Sequence, residues 1–281
     1  MKDNPSKPWP NDFPKVTTVT DYKKMKQHSD YDAAKTGDNE AAIRLIHSLV
    51  SVEKNSIFSA LAKKYPNALL VGIHAEEDAG KNKIPQVLAE YIGKITGLEV
   101  DEKILQSNIV SHTGAGQNVR LFIRPEFDGN VQSGRDYIVV DDMVTMGSTL
   151  GELRYYIESH SGNVVDVVTL STQHENNKTI ALAEETKLVL ADIFGVKSIN
   201  NQRDMSALNN FLKESDMYGG NYENLTESEA RALIHIKTLD EARNRRSAAR
   251  QTGNVGVCEK TIRRDGNQKN SIKENQNVVL R

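Results

Sequence analysis

The chain has 281 residues, a formal net charge of −2 at pH 7 and one cysteine. The small net charge gives no global attraction to nucleic acid or to a membrane surface, and a lone cysteine excludes an internal disulfide framework and a cysteine-based zinc site. No stretch approaches the ~18 apolar residues of a membrane span, and the N-terminus lacks the apolar core of a signal peptide. We therefore expect a soluble cytoplasmic protein with no membrane partner.

Residues 1–37 are predicted to form an extended arm, because four prolines surround Trp9 and Phe13 near its start. The aromatic side chains of such an arm either pack on the body of the protein or dock on a neighbouring molecule. The rest of the arm is polar and has no clear periodicity. Asp38 then stands where an N-cap would begin an amphipathic helix over residues 40–49.

A strand and a helix joined by a long acidic loop are predicted next. Residues 67–73 form a continuous apolar run typical of a buried strand, and residues 84–92 have helical apolar spacing. The glycine-containing stretch 111–120 matches neither the GxGxxG nor the GxxxxGK pattern. The fingerprints of dinucleotide-binding and P-loop proteins are therefore absent there.

The segment 137–150 is the part of the chain whose chemistry is clearest. Four apolar residues that begin at Tyr137 predict a buried parallel strand, and two carboxylates, Asp141 and Asp142, follow it. A turn rich in hydroxyl side chains, residues 145–149, then leads into a helix. Free N–H groups at a helix N-terminus bind phosphate, and carboxylates accept hydrogen bonds from sugar hydroxyls. Together these groups point to a ribose 5-phosphate.

The remainder of the chain predicts one more strand and then helices. Residues 162–170 are typical of a buried strand, and the alternation of strand and helix up to that point predicts an α/β fold with a mostly parallel open sheet flanked by helices. Helices are predicted over residues 184–194, 205–212 and 225–234, and Thr226 with Glu229 has the spacing of a capping box.

The segment 137–150 resembles the phosphoribosyl-pyrophosphate (PRPP) signature of type I phosphoribosyltransferases. The resemblance implies that Asp141 and Asp142 are catalytic residues that bind the ribose hydroxyls and are also the ligands of a Mg²⁺ ion. It also implies that the loop 145–149 binds the 5-phosphate through Thr145, Met146, Gly147, Ser148 and Thr149. Met146 departs from the family, which usually has a small residue at this position.

In the same family the first βα loop binds pyrophosphate, and a flap before the signature strand closes over the site. The resemblance therefore makes the loop 74–83 a candidate pyrophosphate site, with the flap arginines Arg120 and Arg124 as candidate catalytic cations. The candidate pyrophosphate ligands are His74, Ala75, Glu76, Lys81 and Lys83. The loop is longer and more acidic than is usual in the family, so a solvated loop without a ligand is the competing interpretation.

The C-terminal part is basic, with an excess of positive charge from residue 242 onward. This asymmetry indicates either a nucleic-acid contact or a solvated helix end followed by a polar tail. We predict an arm over 1–37, a phosphoribosyltransferase-like domain over 38–200, a helical extension over 201–250 and a polar, flexible tail over 251–281. The order of motifs is also similar to that of phosphoribosyltransferase-like proteins of phages and conjugative elements.

The function implied by the resemblance is transfer of ribose 5-phosphate from PRPP to a small-molecule nitrogen acceptor, with pyrophosphate as the leaving group and Mg²⁺ as the cofactor. A homodimer is implied in the same way. The alternatives are a non-catalytic PRPP or nucleotide sensor, a nucleic-acid-binding protein on the same fold, and a mobile-element factor that acts on a macromolecule.

Overall fold

A computed structural model describes residues 7–73, 76–77, 80–108, 110, 116–197 and 203–251 of the chain. Its centre is a five-stranded parallel sheet with helices on both faces, and further helices follow in the C-terminal part. The predicted α/β class and the mostly parallel sheet are thereby confirmed.

The strands are β1 (Thr17–Thr18), β2 (Leu69–Gly72), β3 (Glu76–Glu77), β4 (Gly80–Lys81), β5 (Glu99–Val100), β6 (Ile104–Gln106), β7 (Phe127–Gly129), β8 (Asp136–Val144), β9 (Asn163–Thr172), β10 (Val196–Lys197) and β11 (Arg203–Asp204). The helices are α1 (Tyr22–Lys26), α2 (Tyr31–Lys35), α3 (Asn39–Leu49), α4 (Asn55–Lys64), α5 (Ile84–Thr96), α6 (Gln117–Phe122), α7 (Ser148–Ser159), α8 (Glu184–Phe194), α9 (Ser206–Glu214), α10 (Glu227–Ile236) and α11, which covers 239–251.

The main sheet has the order β1-β9-β8-β2-β5, and each neighbouring pair is parallel. β8 is therefore the central strand, and its carboxyl end lies between those of β2 and β9. The strand is longer than predicted, because its pairing with β9 continues past residue 140 as far as Val144. Asp141 and Asp142 consequently belong to the strand itself rather than to the turn after it.

The two faces of β8 pack on different helical layers. Ile138 and Val140 are fully buried in a core with α3 and α5, whereas Tyr137 and Val139 are fully buried in a second core with α7. This alternation follows from the two-residue period of a strand. The site is thus built at the end of a strand that is fixed on both faces.

The N-terminal segment differs in part from the expected arm. Trp9 packs on the body, as one of the two interpretations required, because it is 4% exposed and its Nε1 donates to the carbonyl of Asn224 at 3.0 Å. Residues 17–35, however, do not form an extended arm. They contain β1, which pairs with β9, and the helices α1 and α2, whose Met25 and Ala34 are fully buried in the core.

The C-terminal helices α8 to α11 enclose a third core that includes Leu208, Phe211 and Leu233. The predicted capping box is confirmed: Thr226 Oγ1 accepts from the backbone N–H of Glu229, and the Glu229 carboxylate accepts from the N–H of Thr226 at 2.9 Å. Helix α8 likewise ends before Gly195, as predicted.

Candidate functional site

The turn from β8 into α7 has the geometry of an anion site. Gly147 is the N-cap of α7 and has φ of +80°, a conformation that glycine adopts without strain. Gly147 has no side chain with which to cap the helix, so the N-cap residue does not occupy the N–H groups of the first turn, whose residues line the cleft. Helix α7 is 12 residues long, and its N-terminus therefore carries the positive end of a substantial dipole.

Ser148 supplies a second, independent sign of a ligand at this turn. Its side chain lines the cleft and is 5% exposed, and its Oγ has no hydrogen-bond partner among the residues that the structure describes. Buried polar groups in proteins are nearly always hydrogen-bonded. A buried hydroxyl without a partner, next to free N–H groups, is a suitable donor for an anionic oxygen.

The acid pair, Asp141 and Asp142, lies at the other side of this turn. Both side chains line the cleft and are almost completely buried, and the N–H of Asp142 donates to Asp141 Oδ1 at 2.8 Å. Burial, and next the negative charge of Asp142, raise the pKa of Asp141 well above its usual range. Lys35 of α2 approaches from the N-terminal segment, with its Nζ 2.9 Å from Asp142 Oδ2.

The cleft in front of β8 has a volume of about 230 Å³ and also receives Arg120 of α6. Arg120 Nη1 donates to Thr145 Oγ1 at 3.1 Å, which brings a guanidinium to the side of the cleft that the loop 145–149 forms. All five residues of the loop 145–149 line the same cleft. The structure therefore brings together the acid pair, the loop and Arg120, as the sequence predicts for one site.

Arg124, the second predicted catalytic cation, is placed elsewhere. It is buried outside the cleft lining that the described residues form, and its Nε donates to Glu152 Oε1 at 2.8 Å while its Nη1 contacts the carboxylate of Glu229. Its guanidinium also lies 4.7 Å from the ring centroid of Tyr218. Burial raises the pKa of Glu152 to about 7, although Arg124 opposes this. Arg124 thus joins α7 to the C-terminal extension and does not face the cleft.

The candidate pyrophosphate loop is described only in part. His74 and Ala75 lie outside the described residues. Glu76 belongs to β3, which pairs with β4 so that Glu76 is opposite Lys81. Lys81 is exposed and Lys83 is half-buried at the start of α5, and neither contributes to the described lining of the cleft. Asn82, between them, does line it.

The C-terminal extension contacts the loop 145–149 directly. Thr226 Oγ1 donates to the carbonyl of Met146 at 2.7 Å, and both residues are buried. A Cβ added at Gly147 would lie 3.3 Å from Cγ2 of Thr226. Close packing also joins α7 to Tyr218, whose hydroxyl would be 2.3 Å from a Cβ at Gly151. Helix α7 and its N-terminal loop are consequently held between the sheet and residues 218–229.

Two contacts at this site, those of Lys35 and of the Thr226 hydroxyl, are not evident from the sequence. Lys35 lies in a polar segment without periodicity, and no local pattern indicates that it reaches Asp142. The capping box of Thr226 was recognisable, but its hydrogen bond to Met146 spans 80 positions in the chain. A local motif carries no information about a contact at that separation.

No family model matches the chain. It is 38% identical over 243 residues to Protein TraN of Escherichia coli, which covers 86% of this chain and 51% of TraN. It is 38% identical over 152 residues to an uncharacterized protein of Haemophilus influenzae, which covers 53% of this chain and 33% of that protein. It is 30% identical over 118 residues to a hypoxanthine-guanine phosphoribosyltransferase of Streptococcus pyogenes, which covers 41% of this chain and 59% of the enzyme.

The chain thus spans about half the length of TraN and less than two thirds of the other two proteins. It is similar to a TraN over most of its own length and to a phosphoribosyltransferase over less than half of it. Membership of the phosphoribosyltransferase family stays a prediction. Among the helices of the described residues, none has the length and apolarity needed to cross a bilayer.

Proposed function

We propose that the cleft binds PRPP and that the protein transfers its phosphoribosyl group to a nitrogen nucleophile, with release of pyrophosphate. The observation that carries this proposal is the buried Ser148 hydroxyl without a described partner, at an uncapped helix N-terminus beside two buried carboxylates. The partial similarity to a hypoxanthine-guanine phosphoribosyltransferase supports it.

Each group has a role that follows from its chemistry. The Ser148 hydroxyl and the N–H groups at the start of α7 donate to the 5-phosphate, while Arg120 supplies positive charge on the same side. The acid pair accepts hydrogen bonds from the ribose 2- and 3-hydroxyls. When the sugar binds, Asp142 gives up its ion pair with Lys35 and accepts from a ribose hydroxyl instead. The ribose is thereby fixed at both ends, which positions its anomeric carbon for reaction.

The reaction breaks the bond between the anomeric carbon and a pyrophosphate oxygen and forms a bond from that carbon to the acceptor nitrogen. Pyrophosphate leaves with the bonding electron pair, and the proton of the acceptor nitrogen passes to water. The anomeric centre develops oxocarbenium character, as in glycoside hydrolysis. The negative charge of the acid pair, buried beside the ribose, stabilises that positive charge in the transition state.

A Mg²⁺ ion is compatible with this donor set. Among the described residues no group of three or more metal-ligating side chains is present, but Mg²⁺ at phosphate sites is bound by one or two carboxylates together with substrate oxygens. Asp141 and Asp142 are such carboxylates. When bound, the ion neutralises charge on the leaving pyrophosphate.

The test is pyrophosphate release from PRPP in the presence of a panel of nucleobases. We expect Asp142→Asn to lower turnover by at least about 100-fold, because it removes charge where the transition state is positive. Asp136→Asn is the matched control, since it makes the same change at the opposite end of β8. Native-level turnover in Asp142→Asn would refute the assignment, as would the absence of any release by the native protein.

A binding protein without transferase activity is the second candidate, and the Lys35–Asp142 ion pair favours it because a protein cation already occupies one carboxylate. Titration calorimetry with PRPP separates the two candidates. Binding of PRPP without release of pyrophosphate with any acceptor supports the sensor, whereas release supports the enzyme.

The described arginines of α11 do not add support for a nucleic-acid contact, because each has a partner within the protein. Their partners are Asp240 for Arg243, Glu241 for Arg245, the Ser215 hydroxyl for Arg246 and Asp216 for Arg250. The nucleic-acid alternative therefore depends on residues 252–281, which lie outside the described part. Truncation after residue 251 followed by an electrophoretic shift assay tests it.

A further inference from the structure

The helices α1 and α2 contribute an unexpected basic wall to the cleft. Tyr22 and Lys26 of α1 and Tyr31 and Lys35 of α2 all line it. These helices are anchored, because Asp21 caps α1 by accepting from two backbone N–H groups and the apolar side of each helix is buried in the core. The lysines are therefore held at the cleft by the fold and are not carried on a free terminus.

The two lysines are fixed in complementary ways. The side chain of Lys35 is 16% exposed, and its ammonium pairs with Asp142 at 2.9 Å. Lys26 is more exposed, and its Nζ donates to the Tyr31 hydroxyl at 3.0 Å and lies 4.3 Å from the centre of that ring. Among the described residues, the ring and hydroxyl of Tyr31 hold Lys26 and no carboxylate pairs with it, so its ammonium group can contact an anion in the cleft.

The described charges of the cleft are unevenly distributed. Three cations, Lys26, Lys35 and Arg120, line it together with the two acids. Among the described residues of the lining, cations therefore outnumber carboxylates by one.

In the proposed complex, the 5-phosphate contacts Arg120 and the N-terminus of α7, and the sugar hydroxyls contact the two acids. Neither group contacts Lys26 or Lys35. We propose that Lys26 and Lys35 bind a second anionic group on the ligand, the diphosphate of a sugar that already carries a phosphate at its other end. This inference rests on the proposed function for the sugar and the 5-phosphate. It assigns the diphosphate to the N-terminal helices, where the resemblance had implied the loop 74–83.

An ammonium group has three donors, so Lys35 can contact a diphosphate oxygen and Asp142 together or pass from one to the other. Binding of the diphosphate then draws Lys35 away from Asp142 and makes that carboxylate available to a ribose hydroxyl. Diphosphate binding and ribose binding are therefore coupled through the side chain of Lys35. A ligand with a diphosphate is consequently favoured over ribose 5-phosphate, which leaves the lysines without a partner on the ligand.

The test is titration calorimetry of the full chain with three ligands: ribose 5-phosphate, inorganic pyrophosphate and PRPP. The variants are Lys26→Met and Lys35→Met, with Lys23→Met as the control on the same helix but outside the cleft lining. We expect each cleft variant to weaken PRPP and pyrophosphate binding by about tenfold. Lys26→Met should leave ribose 5-phosphate binding within about twofold of the native value, and Lys23→Met should match the native protein throughout.

Lys26 is exposed, so its replacement leaves no buried charge, and this variant keeps the test valid if Lys35→Met folds poorly. The inference is overturned if Lys26→Met binds PRPP as the native chain does, or if Lys81→Met and Lys83→Met lose pyrophosphate binding in its place. If the native chain binds pyrophosphate through the lysines but neither sugar ligand, the proposed function fails and the diphosphate site stands. If it binds none of the three ligands, both are wrong.

Discussion

Replacement of Thr226 by valine tests whether the C-terminal extension holds the loop 145–149 in place. Valine has nearly the same shape as threonine, so the change removes the hydroxyl without creating a cavity. Two buried backbone groups then lose a partner: the Met146 carbonyl, which accepts from Oγ1 at 2.7 Å, and the Glu229 N–H, which donates to Oγ1 at 3.2 Å.

The cost follows from these two groups. A buried polar group left without a partner destabilises a protein by about 1–3 kcal/mol, and loss of a threonine N-cap alone costs about 1 kcal/mol. Because the N-cap loss is the Glu229 part of the same change, the two estimates overlap. We expect the free energy of unfolding to fall by about 2–4 kcal/mol.

The measurement is urea denaturation together with calorimetric binding of ribose 5-phosphate. Thr238→Val is the matched control, since Thr238 Oγ1 accepts from the N–H of Glu241 at 3.2 Å as an N-cap of α11 but makes no described contact with the loop. We expect that control to lose about 1 kcal/mol of stability and no affinity. Thr226→Ser retains the hydroxyl and should recover most of both properties.

Ribose 5-phosphate binding is the decisive measurement. Without the Thr226 hydrogen bond, the loop 145–149 is less well fixed, so Thr226→Val should bind the phosphate several-fold more weakly than the native protein does. Equal affinity in Thr226→Val and Thr238→Val, with equal losses of stability, would refute the reasoning. The Thr226 hydroxyl would then act only as a helix cap.

Two further changes probe buried charge. Arg124→Met should lower the free energy of unfolding by about 3–5 kcal/mol, because it leaves the buried carboxylates of Glu152 and Glu229 without a cation. Urea denaturation measures this loss. An unchanged urea midpoint together with lost turnover would indicate that Arg124 is a catalytic cation after all. Burial raises the pKa of the Asp166 carboxyl from 3.8 to about 6. The folded chain therefore binds the proton of this carboxyl more tightly than the unfolded chain does. The stability that this proton contributes is present below pH 4 and is lost as the pH rises to 6. Asp166→Asn should therefore be more stable than native by about 2 kcal/mol at pH 7.5 and by little at pH 4, as followed by thermal unfolding at both values; a gain that does not depend on pH would exclude this explanation.

Local patterns predicted the core of the fold well. The apolar runs at 67–73, 137–140 and 162–170 all became strands of the parallel sheet, and the helix starts at Asp38 and Thr226 carried recognisable caps. These features depend on neighbours within a few residues. The end of β8 was predicted too early because its last four residues are held by pairing with β9, which is an interaction across the sheet.

The prediction of the site was limited for the same physical reason. The acid pair and the loop 145–149 are close together in the chain, so a local sequence pattern was enough to predict that they belong to one site. Arg124 was assigned to the flap because it lies before the signature strand, but burial beside Glu152 and Glu229 decides its role. Lys35 reaches the site only through the docking of α2, and nothing in its own segment indicates that contact.

Met146 is the unusual residue of the loop 145–149, and it links this loop to the C-terminal extension. Its side chain is 9% exposed and lies in the same core as Phe211 and Leu233, while its backbone is held by Thr226. A small residue here would leave a void in that core, and a methionine in a chain without the extension would be exposed to water. The identity of residue 146 and the presence of residues 203–251 should therefore change together among related sequences, so that the loop alone indicates which of them carry the extension.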